Sequence, residues 1–367
     1  MDAPIRVVLI DDSAVVRGAL RRIIEPSGDI VIAGTASNGR LGLEAVAAHR
    51  PDVVLLDIEM PEMDGMQTLP RLLAANPGLK VIMASSLTQR GAQVTMDALA
   101  LGAADYITKP TARAGPDALA PMAAELLGKI RGLARPHRHL RPATPLRTRA
   151  VGPESDSAPI PEPTTGALRR GLGGRAPELI AIASSTGGPN ALAQLFKALP
   201  NECKTPIVVT QHMPPLFTQM LAQRLTRESG RTCVEASDRM PVQPGHTYIA
   251  PGDKHLLVER ENGALRIRLS DAPPENHCRP SADVMFRSIA NAVGGSTLVV
   301  VLTGMGEDGK RGADVLRRAG ARVLAQDEAS SVVWGMPGAV VAAGLADQVL
   351  TLPLIAQRIA HLELALA

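Results

Sequence analysis

The chain has 367 residues, enough for two ordinary domains, and 45% of them are hydrophobic and 20% charged. No run approaches the ~20 apolar residues of a membrane span, and the first residues lack a charged leader with a cleavage site. We therefore expect no membrane insertion. Cys203, Cys233 and Cys278 are odd in number and far apart, which favours a reduced, cytoplasmic protein.

Residues 1–128 alternate short apolar runs with segments of helical period. The runs that predict strands cover 6–10, 30–34, 53–57, 80–84 and 105–108, and the predicted helices lie near 14–25, 39–49, 65–75, 90–101 and 117–131. Five β-α units of this length predict a doubly wound parallel sheet.

Polar residues follow the predicted strands where such a sheet binds ligands. Asp11 and Asp12 follow the first strand, Asp57 ends the third, and Ser85 and Lys109 follow the fourth and fifth. Three carboxylates in one crevice repel one another unless they share a hard cation, and Mg²⁺ suits oxygen ligands. A carboxylate beside Mg²⁺ can attack a phosphoryl group and hold it as an acyl phosphate. Each aspartate taken singly could instead cap a helix.

This set of motifs resembles the receiver domain of two-component response regulators. The matching residues are Asp11-Asp12-Ser13, Asp57, Met60-Pro61, Met63-Asp64-Gly65, Ser85-Ser86, Tyr106 and Lys109-Pro110. The resemblance implies a flavodoxin-like fold, Asp57 as phospho-acceptor and a histidine kinase of the CheA type as phosphodonor. It also implies Mg²⁺ held by Asp11, Asp12 and Asp57, with Ser85, Tyr106 and Lys109 supporting the phosphoryl site.

Residues 129–175 have the composition of a flexible linker, rich in Pro, Arg, Ser, Thr and Gly without hydrophobic periodicity. They carry ten Lys/Arg against three Asp/Glu, although the net charge of the whole chain is only +3. A basic arm for nucleic acid or an acidic protein surface is the alternative interpretation. We expect no nucleic-acid partner, because no aromatic residue interleaves the arginines.

Residues 176–367 return to strand-helix alternation. Predicted strands cover 179–183, 206–211, 298–303 and 321–326, and shorter ones cover 233–236, 246–250, 254–259 and 264–269. Glu261-Asn262-Gly263 is a hairpin signal. We therefore predict a second doubly wound α/β domain with a mainly parallel sheet and a β-hairpin insertion.

Three strand ends of this second domain carry complementary groups. Ser185 follows the first strand, His212 the second, and Asp308 a later one. A hydroxyl, an imidazole and a carboxylate at one sheet edge are what acyl transfer needs. Each has a plainer alternative: a helix cap or phosphate loop for Ser185, a hydrogen-bonded histidine without chemistry for His212, and an N-cap for Asp308.

The surrounding motifs resemble the CheB family of chemotaxis methylesterases. They are Ser184-Ser185-Thr186-Gly187-Gly188-Pro189, Gln211-His212-Met213-Pro214 and Leu302-Thr303-Gly304-Met305-Gly306-Glu307-Asp308-Gly309. The resemblance implies Ser185 as nucleophile, His212 as base and Asp308 as orienting acid, and the backbone amide of Met305 is our candidate oxyanion donor. Ser184 and Glu307 depart from the common family pattern.

The same resemblance implies the activity and its control. The enzyme would hydrolyse glutamate γ-methyl esters and deamidate specific glutamines on methyl-accepting chemotaxis receptors, and the unphosphorylated receiver would mask it. The alternatives are a hydrolase of another ester and a non-catalytic output or binding module.

Overall fold

The computed structural model describes residues 3–109, 116–134, 176–200 and 203–364. The amino-terminal unit has five strands and five helices, which are β1 (Ile5–Ile10), α1 (Ala14–Ile24), β2 (Ile30–Ala36), α2 (Gly39–His49), β3 (Val53–Asp57), α3 (Gly65–Ala75), β4 (Lys80–Ser85), α4 (Gln89–Ala100), β5 (Asp105–Thr108) and α5 (Pro116–Ala134). The strands form one parallel sheet in the order β2-β1-β3-β4-β5. The predicted five-stranded parallel sheet is confirmed.

Local sequence explains where the helices of this unit begin. The side chains of Ser13, Asn38, Asp64 and Thr88 each accept a hydrogen bond from a backbone amide in the first turn of α1, α2, α3 and α4 respectively. Such caps satisfy amides that have no partner within the helix. The strand β3 is buried along its whole length, as its continuous apolar run requires in a sheet covered on both faces.

Helix α5 crosses the boundary that we expected at 128/129 and ends at Ala134. Leu126, Ile130 and Leu133 form one apolar stripe at helical spacing and are buried, which explains why the helix continues. The rest of the predicted linker, residues 135–175, lies outside the described residues.

The carboxyl-terminal unit has nine strands and six helices within the described residues. They are β6 (Leu179–Ser184), α6 (Gly188–Ala198), β7 (Ile207–Gln211), α7 (Phe217–Ser229), β8 (Thr232–Glu235), β9 (His246–Ile249), β10 (His255–Glu261), β11 (Ala264–Ser270), α8 (Ala282–Ala292), β12 (Thr297–Val301), α9 (Lys310–Arg318), β13 (Arg322–Gln326), α10 (Met336–Ala342), β14 (Gln348–Leu350) and α11 (Leu352–Leu364). Seven strands form a parallel sheet in the order β14-β13-β12-β6-β7-β9-β8.

The predicted hairpin insertion is β10-β11, paired antiparallel through a turn at Asn262 and Gly263, both with positive φ. The strands β8 and β9 belong instead to the edge of the main sheet, since β9 pairs in parallel with β7. Strand β14 was not predicted, because its three residues are too few to show periodicity.

The strand order explains the position of the candidate site. Strand β6 lies between β12 and β7, and all three run in parallel. Their carboxyl ends therefore meet at one edge, where the loops after them are brought together.

The two units pack against each other through the receiver-like face formed by α4, β5 and α5. The ring of Tyr106 stacks on that of Phe217 with centroids 4.7 Å apart and an interplanar angle of 7°. Asn190 Nδ2 donates to the carbonyl of Ala103 at 3.4 Å. Within the described residues, no helix is both long and apolar enough to cross a membrane.

Candidate active site and phosphorylation site

Ser185 is the first residue after β6, and its backbone is held from both sides. Its amide donates to the carbonyl of Thr303 at 3.0 Å, and its carbonyl accepts from the amide of Gly188 at 2.8 Å. Gly304 lies directly behind it: a Cβ added to Gly304 would come within 2.9 Å of Ser185 Cβ. The loops after β6 and β12 are thus in close contact around this half-buried serine.

The neighbouring hydroxyl of Ser184 is fully buried and already engaged. Ser184 Oγ donates to Gln211 Oε1 at 2.7 Å, and Gln211 Nε2 donates to the carbonyl of Ser185 at 2.9 Å. Gln211 therefore joins the ends of β6 and β7. Because Ser184 faces the interior, the second hydroxyl of this motif does not compete with Ser185 as a nucleophile.

His212 follows β7, and its amide donates to the carbonyl of Ser184 at 3.2 Å. Its ring nitrogen Nε2 lies 2.8 Å from Asp308 Oδ2, and Nδ1 lies 3.6 Å from Cys278 Sγ. An ionised Asp308 accepts from Nε2, so the neutral imidazole carries its proton on Nε2 and has none on Nδ1. Among the described residues no hydrogen bond joins Ser185 to His212, a link that commonly tightens only when substrate binds.

Asp308 is buried and has an unusually complete set of donors. Besides His212, they are Asn276 Nδ2 and Ser281 Oγ, each at 2.8 Å, and the amides of Ala282 and Asp283 at 2.6 and 3.1 Å. The two amides belong to the first turn of α8, where a negative charge is favoured. Burial acts to raise the pKa of Asp308, but His212 and these donors outweigh it, so the pKa lies well below its usual range.

The pKa of the His212 imidazole is shifted in the opposite direction. Burial disfavours the charged imidazolium, but Asp308 and the Cys278 sulfur outweigh burial, so the pKa of His212 is raised above 6.5. The pair therefore stabilises the charge-separated state that forms when Nδ1 accepts a proton.

Glu307, the other departure from the family pattern, directly precedes Asp308 in the loop after β12. It is exposed and pairs with Lys310, which holds its pKa below the usual range. Its charge is thus compensated at the surface.

Met305, whose amide is the candidate oxyanion donor, adjoins Gly304 behind Ser185 and lies under helix α5. A Cβ on Gly128 would come within 2.5 Å of Met305 Sδ, and one on Gly132 within 3.1 Å of Val333. The two glycines are one helical turn apart, so α5 lies closely over the loops that follow β12 and β13.

The residues of the predicted phosphorylation site lie close together at the sheet edge of the receiver-like unit. Carboxylate oxygens of Asp11, Asp12 and Asp57 lie within 4.8 Å of one another. Lys109 Nζ lies 2.6 Å from Asp57 and 3.2 Å from Asp11. Burial, with a smaller contribution from Asp11, outweighs Lys109 and raises the pKa of Asp57 to about 6. Such a concentration of acidic oxygens fits a hard divalent cation.

Ser85 and Tyr106 lie on the neighbouring strands. Ser85 Oγ accepts from Thr95 Oγ1 at 2.8 Å, which connects the site to α4. Tyr106 is buried, with its ring in the interface between the units. One short strand, β5, therefore connects Lys109 in the acidic cluster with Tyr106 in the interface.

Sequence reasoning missed three residues of the candidate active site: Gln211, Asn276 and Cys278. Gln211 could have been found, because it immediately precedes the candidate base on a buried strand. Asn276 and Cys278 come from a loop before α8 that no strand-end argument places at this edge.

Comparison with known families agrees with this two-part architecture. The family model described as response regulator receiver domain matches residues 7–116, and the one described as CheB methylesterase matches residues 180–359. A protein-glutamate methylesterase/protein-glutamine glutaminase of Maricaulis maris is 44% identical over 95% of this chain and 92% of its own length. A protein of Caulobacter vibrioides with the same description is 48% identical over 97% of this chain and 98% of its own length.

A solved structure matches the carboxyl-terminal unit. The catalytic domain of the CheB methylesterase from Thermotoga maritima is 41% identical, with a TM-score of 0.50, and covers 51% of this chain and 98% of that one. Matches to both units in this order, with relatives similar over nearly their full length, show that the chain belongs to the CheB family, in which a receiver domain precedes a methylesterase domain.

Proposed function

We propose that this protein is a phosphorylation-controlled serine esterase that hydrolyses glutamate γ-methyl esters on methyl-accepting chemotaxis receptors. The observation that carries the proposal is the 2.8 Å hydrogen bond between His212 Nε2 and Asp308 Oδ2, with Ser185 at the adjacent strand end. The full-length relatives, described as protein-glutamate methylesterase/protein-glutamine glutaminase, support the substrate class.

The reaction begins with attack of Ser185 Oγ on the ester carbonyl, while His212 Nδ1 takes the hydroxyl proton. The negative oxygen of the tetrahedral intermediate is stabilised by backbone amides, for which Met305 is the candidate. The bond between the former carbonyl carbon and the methoxy oxygen then breaks, and the methoxy group leaves as methanol with the proton from His212. Water, activated by the same imidazole, cleaves the glutamyl-serine ester and regenerates Ser185. For a glutamine substrate the leaving group is ammonia, so one route serves both reactions.

The receiver domain controls access to this site. The stacking of Tyr106 on Phe217 and the packing of α5 on Met305 keep the loop after β12 covered in the resting state. Phosphorylation of Asp57 by a histidine kinase shifts the equilibrium towards an open arrangement, and Ser85, Tyr106 and Lys109 transmit the change. Asp11, Asp12 and Asp57 would hold the Mg²⁺, which neutralises phosphoryl oxygens during transfer.

Methanol release from methylated receptor membranes, measured with and without acetyl phosphate, tests this function. We expect release by the full-length enzyme, with a higher rate when acetyl phosphate and Mg²⁺ are present, and no stimulation of Asp57→Asn. Cleavage of small esters without release from receptors would indicate a hydrolase of another ester. Absence of both activities would indicate a non-catalytic output module.

A further inference from the structure

The loop before α8 contains a tight turn, Glu275–Cys278, that contacts the candidate triad. The amide of Glu275 donates to the carbonyl of Cys278 at 3.1 Å, and the reverse hydrogen bond is 2.9 Å. The two central residues, Asn276 and His277, have φ of 52° and 63°. Two consecutive positive φ values are those of the tight turns that favour asparagine and glycine.

The turn is attached to helix α8 by a bidentate ion pair. Arg287 donates to both carboxylate oxygens of Glu275 at 2.7 and 2.6 Å. A planar guanidinium on a carboxylate restricts orientation as well as distance. The turn is therefore fixed to the same helix whose first amides bind Asp308.

The side chain of Asn276 lies between two buried carboxylates. Its Nδ2 group donates to Asp308 Oδ1 at 2.8 Å and to Asp283 Oδ2 at 2.9 Å, so both amide protons are used. Two carboxylates at one buried site repel each other and favour protonation of one of them. The Asn276 amide offsets this repulsion by supplying a donor to each.

The same two carboxylates also connect the helices that carry them. Asp308, just before α9, accepts from the amides of Ala282 and Asp283 at the start of α8. Asp283, in α8, accepts from the amide of Gly312 in the first turn of α9 at 2.6 Å. The first turn of α8 thus binds the carboxylate that precedes α9, and the first turn of α9 binds a carboxylate of α8.

From this arrangement we propose that Asn276 is a positioning residue for the esterase reaction. Its amide keeps Asp308 ionised and directed at His212 Nε2, while leaving Asp283 free to bind α9. The proposal rests on the triad proposed above, because a positioned Asp308 matters only if His212 is the base. His277, the other central residue of the turn, is exposed and makes no described contact with the triad.

Glycine substitutions at the two central positions give a matched pair of variants. Glycine adopts positive φ readily, so both variants keep the turn, but only Asn276→Gly removes the amide. In the full-length enzyme with acetyl phosphate, we expect Asn276→Gly to lower kcat about 10- to 100-fold, the effect of small misplacement of a catalytic group. KM should stay within about twofold, because substrate contacts are unchanged. His277→Gly should match the wild type.

A spectroscopic readout separates positioning from stability. The proton on His212 Nε2 should give a low-field NMR resonance through its hydrogen bond to Asp308, and Asn276→Gly should move or broaden it while His277→Gly leaves it in place.

The variant Asn276→Asp distinguishes a role of the amide donor from a role of the backbone conformation that Asn276 adopts. Aspartate also tolerates the left-handed region, so a purely structural role predicts nearly normal kcat. The positioning role predicts a loss at least as large as in Asn276→Gly, because a third carboxylate replaces the donor. Four results would each overturn the proposal. The first two are a wild-type kcat in Asn276→Asp and equal losses of kcat in the two glycine variants. The others are a rise in KM alone in Asn276→Gly and unfolding of Asn276→Gly while His277→Gly stays folded. Turnover by Ser185→Ala would instead refute the triad, so the two failures are distinguishable.

Discussion

At the scale of single residues, the site is organised around the charge of Asp308. A buried carboxylate is costly unless donors compensate it, and here two side chains and two amides of α8 do so in addition to His212. These donors allow the carboxylate to remain ionised in an interior position. In the proposed reaction, an ionised Asp308 stabilises the imidazolium that forms when Ser185 gives up its proton.

The pair of adjacent hydroxyls gives the first prediction. Ser185→Ala should lower kcat for methanol release by about 10⁶, the scale of losing a triad nucleophile. Ser184→Ala should retain turnover, because Ser184 is buried and bonded to Gln211. It should only lower the stability by about 1–3 kcal/mol, since Gln211 Oε1 loses its donor. Comparable losses of kcat in both variants would contradict the assignment.

Cys278 gives a prediction about pH. Its sulfur is one of the groups that raise the pKa of His212 against the effect of burial. A base with a raised pKa loses its proton only at higher pH, so the acid limb of the kcat/KM profile is shifted upward. Cys278→Ala should therefore move this limb to lower pH. Cys233→Ala, which removes a thiol buried elsewhere, should leave it unchanged; an unmoved limb in Cys278→Ala would contradict the argument.

At the scale of elements, helix α5 has a glycine face that fits the esterase loops. Gly128 and Gly132 allow the helix to approach Met305 and Val333 at distances that a Cβ would obstruct. Glycine within a helix costs about 1 kcal/mol relative to alanine. Larger residues at these two positions would push α5 away from Met305 and Val333, so the contact with the esterase domain would be lost.

A large side chain on this face of α5 should raise the activity of the unphosphorylated enzyme, because it separates α5 from the esterase loops. Gly128→Leu should raise methanol release without phosphodonor severalfold towards the phosphorylated rate, because the leucine side chain overlaps Met305. Gly18→Leu on α1 is a matched helical control, since a Cβ there meets nothing within 4 Å. Equal basal rates in wild type and Gly128→Leu would show that α5 does not mask the site.

The elements were predictable from sequence to different degrees. The strands β1, β3, β4, β6 and β12 each contain a run of consecutive apolar residues, and these runs made the strands predictable. The membership of β8 and β9 in the main sheet was not predictable, because parallel pairing depends on contacts distant in sequence. The turn that places Asn276 beside Asp308 was missed because Asn276-His277 lacks the Asn-Gly pattern that marks such turns.

At the scale of the whole molecule, the two units form a closed arrangement in which one buried apolar cluster includes residues of α4 and of α7. An aromatic pair such as Tyr106–Phe217 contributes about 0.5–1.5 kcal/mol beyond its buried area. If Asp57 is phosphorylated as proposed, the population of open molecules shifts by the difference in free energy with which the phosphoryl group stabilises the open and the closed arrangement.

Removal of the receiver unit should raise the rate of methanol release, as the opening of the two units does. The fragment 176–367 should release methanol faster than unphosphorylated full-length enzyme and should not respond to acetyl phosphate. The matching catalytic domain of Thermotoga maritima crystallised without a receiver, which supports testing this unit alone. A fragment that is folded by circular dichroism but no faster than the resting enzyme would contradict masking.

Labelling with a serine-directed phosphonofluoridate, read by peptide mass spectrometry, tests the central claim most directly, because it reports the nucleophile and its accessibility in one experiment. We expect a single adduct on Ser185, formed faster with acetyl phosphate and Mg²⁺ than without them, and none in Ser185→Ala. An adduct on another residue, or methanol release by an enzyme whose Ser185 stays unlabelled, would contradict the account.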